Sequence, residues 1–229
     1  MTYTLTSKSL KAVAAAALLT LATAPASSAA SLKFESWASG YETVDVTAPS
    51  YNGAAGGFVM NDVDTSDSFV VFCLDILGVI YSNVTYDYTT TAAPFSNSQS
   101  PLNMTGLQNL FDTGYSNALA SSTTSAAFQV ALWNTVYDTD WDVNGGTFSQ
   151  DDDGAVKDMA NEFLAAANGY TGPSTWTLSF LEGENTDPNI RRSQNLVTAA
   201  PSPVPLPATG LMLVAAIGGL AMTRRRKTA

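Results

Sequence analysis

Phe69-Val70-Val71-Phe72-Cys73-Leu74 is an unbroken apolar run rich in β-branched and aromatic side chains. Six residues are too few for a self-sufficient helix, and their composition favours extended chain. The run therefore predicts a strand covered on both faces. Such a strand needs layers on either side. The flanking sequence offers β structure: Leu32 to Trp37 and Glu42 to Thr47 alternate, Gly53 to Gly57 is a turn-rich break, and Val79 to Thr89 alternates through Tyr81, Tyr86 and Tyr88. The period then changes to helical. Leu107, Leu110 and Phe111 predict a helix over Met104 to Leu119, and the Ser/Thr cluster at Ser121 to Ser125 supplies caps for a second over Ala126 to Tyr137. Val156, Met159, Phe163 and Leu164 predict a third over Gly154 to Ala167, after which Thr175 to Leu181 and Asn195 to Thr198 return to strand spacing. Strands, helices, then strands describe an α+β fold: an antiparallel β-sandwich or barrel with a helical insertion.

Both ends of the chain read as addresses rather than as parts of that fold. Lys8 and Lys11, the apolar stretch Ala12 to Ala24 and the small residues Ser28-Ala29-Ala30 form a signal peptide over residues 1–30. Residues 199–229 hold a Pro-rich spacer, an apolar stretch from Leu211 to Met222 and the cluster Arg224-Arg225-Arg226-Lys227. That stretch is shorter than the roughly 20 residues a stable span prefers, and the basic tail would stay cytoplasmic. A transient anchor in the inner membrane fits. Val204-Pro205-Leu206-Pro207-Ala208 ahead of these features resembles the VPLPA variant of the PEP-CTERM sorting signal. The resemblance implies a Gram-negative exported protein handled by an exosortase-like enzyme, often alongside exopolysaccharide. Leu206-Pro207-Ala208-Thr209-Gly210 also fits the LPxTG signal of sortases. Either signal delivers the protein to the cell surface or extracellular matrix.

Residues 31–198 remain as one globular domain. The chain has no histidine and one cysteine, so triads using histidine, histidine-bound metals, intramolecular disulfides and CxxC chemistry are excluded. All twenty acids but only Lys33, Lys157, Arg191 and Arg192 lie within residues 31–200 (4 − 20 = −16), which argues against a nucleic-acid partner.

Two segments carry unusual content. Phe72-Cys73-Leu74-Asp75 puts the lone thiol in the most apolar strand. On the second predicted helix, Gln129 shares a face with Leu132, Trp133 and Val136. An unpaired amide on that buried stripe would cost about 1–3 kcal/mol, so a partner is expected. Together the two segments resemble the thioester domains of bacterial surface proteins, in which a Cys and a Gln side chain join. The family's aromatic-Cys-aliphatic-Asp context matches Phe72 to Asp75. Its Thr-Gln-x-Ala-aliphatic-Trp context matches Gln129 to Trp133, with Phe128 where the family has Thr. The resemblance implies a thioester between Cys73 and Gln129. Trp133 is expected in the core under either reading, in a place to roof such a bond, and Asp75 either orients the site or simply ends the apolar run. An amine or hydroxyl on an exopolysaccharide or other surface would then be captured covalently, once per molecule, so no turnover enzyme is expected. The rival class is a non-covalent structural or exopolysaccharide-associated matrix protein with the same sorting signal.

No organic cofactor is expected. Asp140, Asp142 and Asn144, with Gly145 and Asp151 at the twelfth position, have the spacing of a calcium loop, but a solvated acidic turn explains the same residues. Asp151-Asp152-Asp153 also suits the start of the third helix through its dipole.

Overall fold

The computed structural model describes residues 29–91, 102–151, 153–184 and 193–203. Six strands close an antiparallel barrel: β1 (Ala29–Trp37), β4 (Phe58–Asp62), β5 (Ser68–Cys73), β9 (Leu196–Pro201), β8 (Trp176–Glu184) and β6 (Thr85–Thr91), in that order around the wall. A second, three-stranded sheet has the order β3 (Tyr51–Ala55), β2 (Glu42–Ala48), β7 (Ser149–Gln150). Among the described residues three helices, α1 (Met104–Ala118), α2 (Ser122–Tyr137) and α3 (Ala155–Ala167), join these sheets in the α+β architecture expected from the sequence, with the barrel rather than the sandwich realised.

The local chemistry accounts for most of these elements. In β2 the alternation puts Val44 and Val46 inside, and in β6 it does the same for Tyr86 and Tyr88. The apolar run of β5 is buried from Val71 through Leu74, while Phe69 and Val70 are half-buried against the core. Each helix meets the core according to its pattern. In α1 the side chain of Asn103 caps Gly106 N–H, and in α3 Ala160, Phe163, Leu164 and Ala167 form the buried stripe. α2 is buried from Thr124 to Thr135, as its nearly uniform apolar character requires, and it packs on α1, α3, β2, β3 and β5. Ser121 and Thr124 close a reciprocal capping box at its start. The helix thus begins four residues earlier than expected, because the Ser/Thr cluster supplies both its cap, Ser121, and its first turn, Ser122 to Ser125.

Two further departures have local causes. The Gly-rich break at Gly53 to Gly57 is partly strand: Gly53 to Ala55 end β3, and only Gly56 and Gly57 separate it from β4. The strand expected from Val79 begins only at Thr85. Before it, Val79 makes a single parallel bridge to Ser193, and Asn83 adopts a left-handed φ of 66° that interrupts extended chain. β7, two residues long, is too short to carry a period. Among the described residues no helix is long and apolar enough to cross a membrane. Of the expected signal peptide, residues 1–28 lie outside the described residues, as does the sorting motif Val204 to Ala208, whereas its last two residues, Ala29 and Ala30, are the first of β1 and pair with Thr89 and Tyr88.

Candidate functional site around Cys73

Cys73 ends β5 and is 6% exposed. On one side it is in register with Leu196 of β9, and the pairing continues as Leu74 N–H donates to the Asn195 carbonyl at 2.8 Å. On the other side the ladder with β4 has already stopped, its last pair being Phe58 and Val71. The side chain of Gln129 reaches in from α2 instead. Cys73 N–H donates to Gln129 Oε1 at 2.9 Å, and Gln129 Nε2 donates to the Cys73 carbonyl at 2.7 Å. The buried amide that the sequence left in need of a partner is therefore satisfied twice, by the main chain of the cysteine.

The sulfur itself has a different neighbour. Cys73 Sγ donates to Gln194 Oε1 at 2.7 Å. That separation is typical of an O–H···O bond and short for the larger sulfur atom. The sequence paired sulfur with Gln129. In the structure Gln129 meets the Cys73 backbone, and the carboxamide against the sulfur is that of Gln194, which the sequence reading missed. Gln194 lies in the irregular stretch just before β9, where no periodicity marks it.

Asp75, wholly buried, holds this stretch in place. Its Oδ1 accepts from Gly78 N–H at 2.8 Å and its Oδ2 from Asn195 N–H at 3.1 Å. It thus ties the turn after β5 to the residue that follows Gln194. Gly78 is needed at that turn, because a Cβ there would fall 2.6 Å from Gln194 Cα. Tyr137 Oη accepts from Ile76 N–H at 3.1 Å and Tyr86 Oη from Tyr81 N–H at 2.9 Å, pinning the rest of the segment.

Cys73, Gln129 and Gln194 open into a cleft of about 240 Å³ with aromatic walls, among them Trp37, Tyr51, Phe58 and Trp133. Trp133 is 1% exposed and meets Tyr51 edge-on, with ring centroids 5.4 Å apart. At the mouth Tyr81 is 54% exposed. Burial, and then the neighbouring Asp75 carboxylate, push the Cys73 thiol well above its ordinary range. Burial, followed by the nearby Cys73, pushes the Tyr51 hydroxyl up to about 12.

The acidic loop after α2 is organised differently. Asp140 Oδ1 accepts from Asp142 N–H at 3.1 Å, and Asp142 Oδ1 from Asn144 N–H at 2.9 Å. Asp151 N–H donates to the Asp45 carbonyl at 3.0 Å, beside the pairing of Gln150 with Val46, so the twelfth position continues a sheet. Among the described residues no three acidic or sulfur-bearing side chains are gathered to hold a metal ion.

No protein-family model and no curated protein matches the chain. Solved structures do show a loose likeness. The N-terminal domain of the Streptococcus pyogenes pilus tip adhesin Cpa is 16% identical, with 65% of this chain and 85% of that one covered at a TM-score of 0.44. The N-terminal thioester domain of a surface protein from Clostridium perfringens is also 16% identical, with 76% of this chain and 100% of that one covered at 0.45.

Proposed function

We propose that this is an exported surface or matrix protein whose domain forms an internal thioester between Cys73 and a glutamine, and that the glutamine is Gln194. The observation that carries the proposal is the contact of Cys73 Sγ with Gln194 Oε1 at 2.7 Å. Gln194 takes the role that the sequence gave to Gln129, whose amide is committed to the Cys73 main chain.

In the bond-forming step the sulfur gives up its proton and attacks the Gln194 carboxamide carbon. The carbon–nitrogen bond breaks, and the nitrogen leaves as ammonia carrying that proton. A carboxamide is a poor electrophile and the buried thiol is reluctant to ionise. Fixed approach of the two groups must supply the rate. In the second step an amine or hydroxyl from a surface attacks the acyl carbon, the carbon–sulfur bond breaks, and the proton of the nucleophile returns to sulfur. The product is an amide or ester on Gln194 and a free Cys73. The aromatic walls leave Cys73 only 6% exposed, which limits the approach of water to the bond.

Intact mass of the purified protein tests this. The expected mass is lower than calculated by one ammonia, and methylamine should add once. Cys73→Ala should remove both the deficit and the addition. Full calculated mass with a freely alkylated thiol, in protein kept from hydrolysis, would leave the rival non-covalent matrix protein instead. Export, processing by an exosortase-like enzyme and transient anchoring by the C-terminal segment belong to the same proposal, supported by the terminal sequence signals alone. Calcium at Asp140, Asp142, Asn144 and Asp151 is no part of it.

A further inference from the structure

With Gln194 as the electrophile, a reading on which this inference rests, Gln129 is a buried carboxamide with no reacting role. We propose that Gln129 is a positioning residue: its side chain stands in for an absent strand beside Cys73 and so aims the sulfur at Gln194. A strand residue offers its neighbour one acceptor and one donor in a plane, and a carboxamide presents the same pair. Gln129 supplies both to Cys73, at 2.9 and 2.7 Å, where the β4 ladder has ended. The substitution is not confined to one residue. One turn earlier on the same face of α2, Ser125 Oγ accepts from Gly57 N–H at 2.8 Å, just before β4. The buried face of α2 therefore continues the hydrogen bonding of the barrel wall where its strands part.

The consequence for the chemistry is geometric. With its N–H and C=O both held, Cys73 keeps a fixed Cα–Cβ direction, and side-chain rotation alone remains to place the sulfur. Asp75 fixes the other reactant by holding Asn195 N–H. Two separate clamps thus act on the two reacting residues, one from α2 and one from the turn after β5. Loss of the α2 clamp leaves Cys73 and Gln194 present but misaligned.

The test follows ammonia loss by intact mass in the full chain after refolding, with folding checked by circular dichroism, and maps the residue that carries methylamine. Wild type should lose one ammonia and carry methylamine on Gln194, and Gln194→Ala should do neither. Gln129→Met, once folded, should lose ammonia roughly 100-fold more slowly, the scale of an ångström of misplacement. Gln129→Glu supplies a readout that simple space-filling would not move. As a neutral acid it can donate to the Cys73 carbonyl and accept from its N–H; ionised, it turns an acceptor toward that carbonyl. Its rate relative to wild type at the same pH should therefore recover as pH falls. If Gln129→Met does not fold, this pH-dependent recovery decides alone. Wild-type rates in both variants, or methylamine found on Gln129, would overturn the positioning role while leaving a thioester in place. A wild-type chain with neither deficit nor adduct would overturn the thioester and this role together.

Discussion

Two turns in this molecule are built on the same device and differ in what surrounds them. At the end of β5, Asp75 accepts N–H groups from Gly78 and Asn195. At the end of α2, Asp138 accepts from Thr139 N–H through Oδ1, and from Thr147 and Phe148 N–H through Oδ2. The first carboxylate is wholly buried, under a cleft holding the lone thiol and two glutamines. The second is half-buried in a loop whose other acids, Asp140 and Asp142, are exposed. Hydrogen bonding alone does not distinguish them. Dehydration does: in the first turn each polar group must find a protein partner, and an unmade bond costs the full desolvation of the group. That is how two carboxamides come to be fixed against one cysteine, while the solvated loop has water to fall back on.

Four measurements can break or sharpen this contrast. The largest effect belongs to the proposed bond. Joining Cys73 to Gln194 closes a loop of 121 residues, so opening it with methylamine should lower unfolding stability by about 5 kcal/mol on the chain-entropy view. Equal denaturant midpoints before and after treatment would argue that no such closure existed. Next, Asp75→Ala should cost about 3 kcal/mol by orphaning two buried N–H groups, and it should slow ammonia loss as well. A smaller effect appears with alkali. The folded thiol is raised above its unfolded value of about 8.5, so its contribution to stability is complete below that pH and is lost as pH climbs toward the folded value. Melting temperature should thus fall more steeply above about pH 8.5 in the thiol form than in the thioester form, where sulfur carries no proton. The smallest effect is expected in the second turn, where Asp138→Ala should cost about 1 kcal/mol. Burial is the largest single influence on the Asp138 carboxyl and raises it, but the N–H donors of Phe148, Thr139 and Thr147, with the Thr147 side chain, together outweigh this and hold it below its usual range. Its contribution is therefore present above about pH 4 and lost as pH falls through the lower folded value, where variant and wild type should converge. A loss at Asp138 as large as that at Asp75 would undo the contrast.

What the sequence disclosed and what it hid follow the range of the interactions involved. α2, its buried Gln129 and the covered strand ending in Cys73 are local patterns, legible from period and composition. So was the need of Gln129 for a partner. The identity of that partner was not legible, because it depends on where β4 stops pairing with β5. Gln194 was harder still. Its approach to the sulfur arises from the pairing of β5 with β9, more than a hundred residues apart in the chain, and non-local register leaves no trace in a short window. The available signal was indirect: a glutamine placed directly ahead of the last apolar strand, Leu196 to Pro201. The separation of β3 from β4 and the two residues of β7 were lost for the opposite reason, being too brief to repeat.

The position of Gln194 ahead of β9 also decides how a captured partner would pull on the molecule. In a chain tethered through its C-terminal segment, tension entering at the Gln194 acyl carbon would pass through Asn195 and the six residues of β9 and out to the tether. The remainder of the barrel and α1, α2 and α3 would lie off that line. Attachment at Gln129 would instead have drawn the force through α2, α3 and β8 before reaching the same anchor.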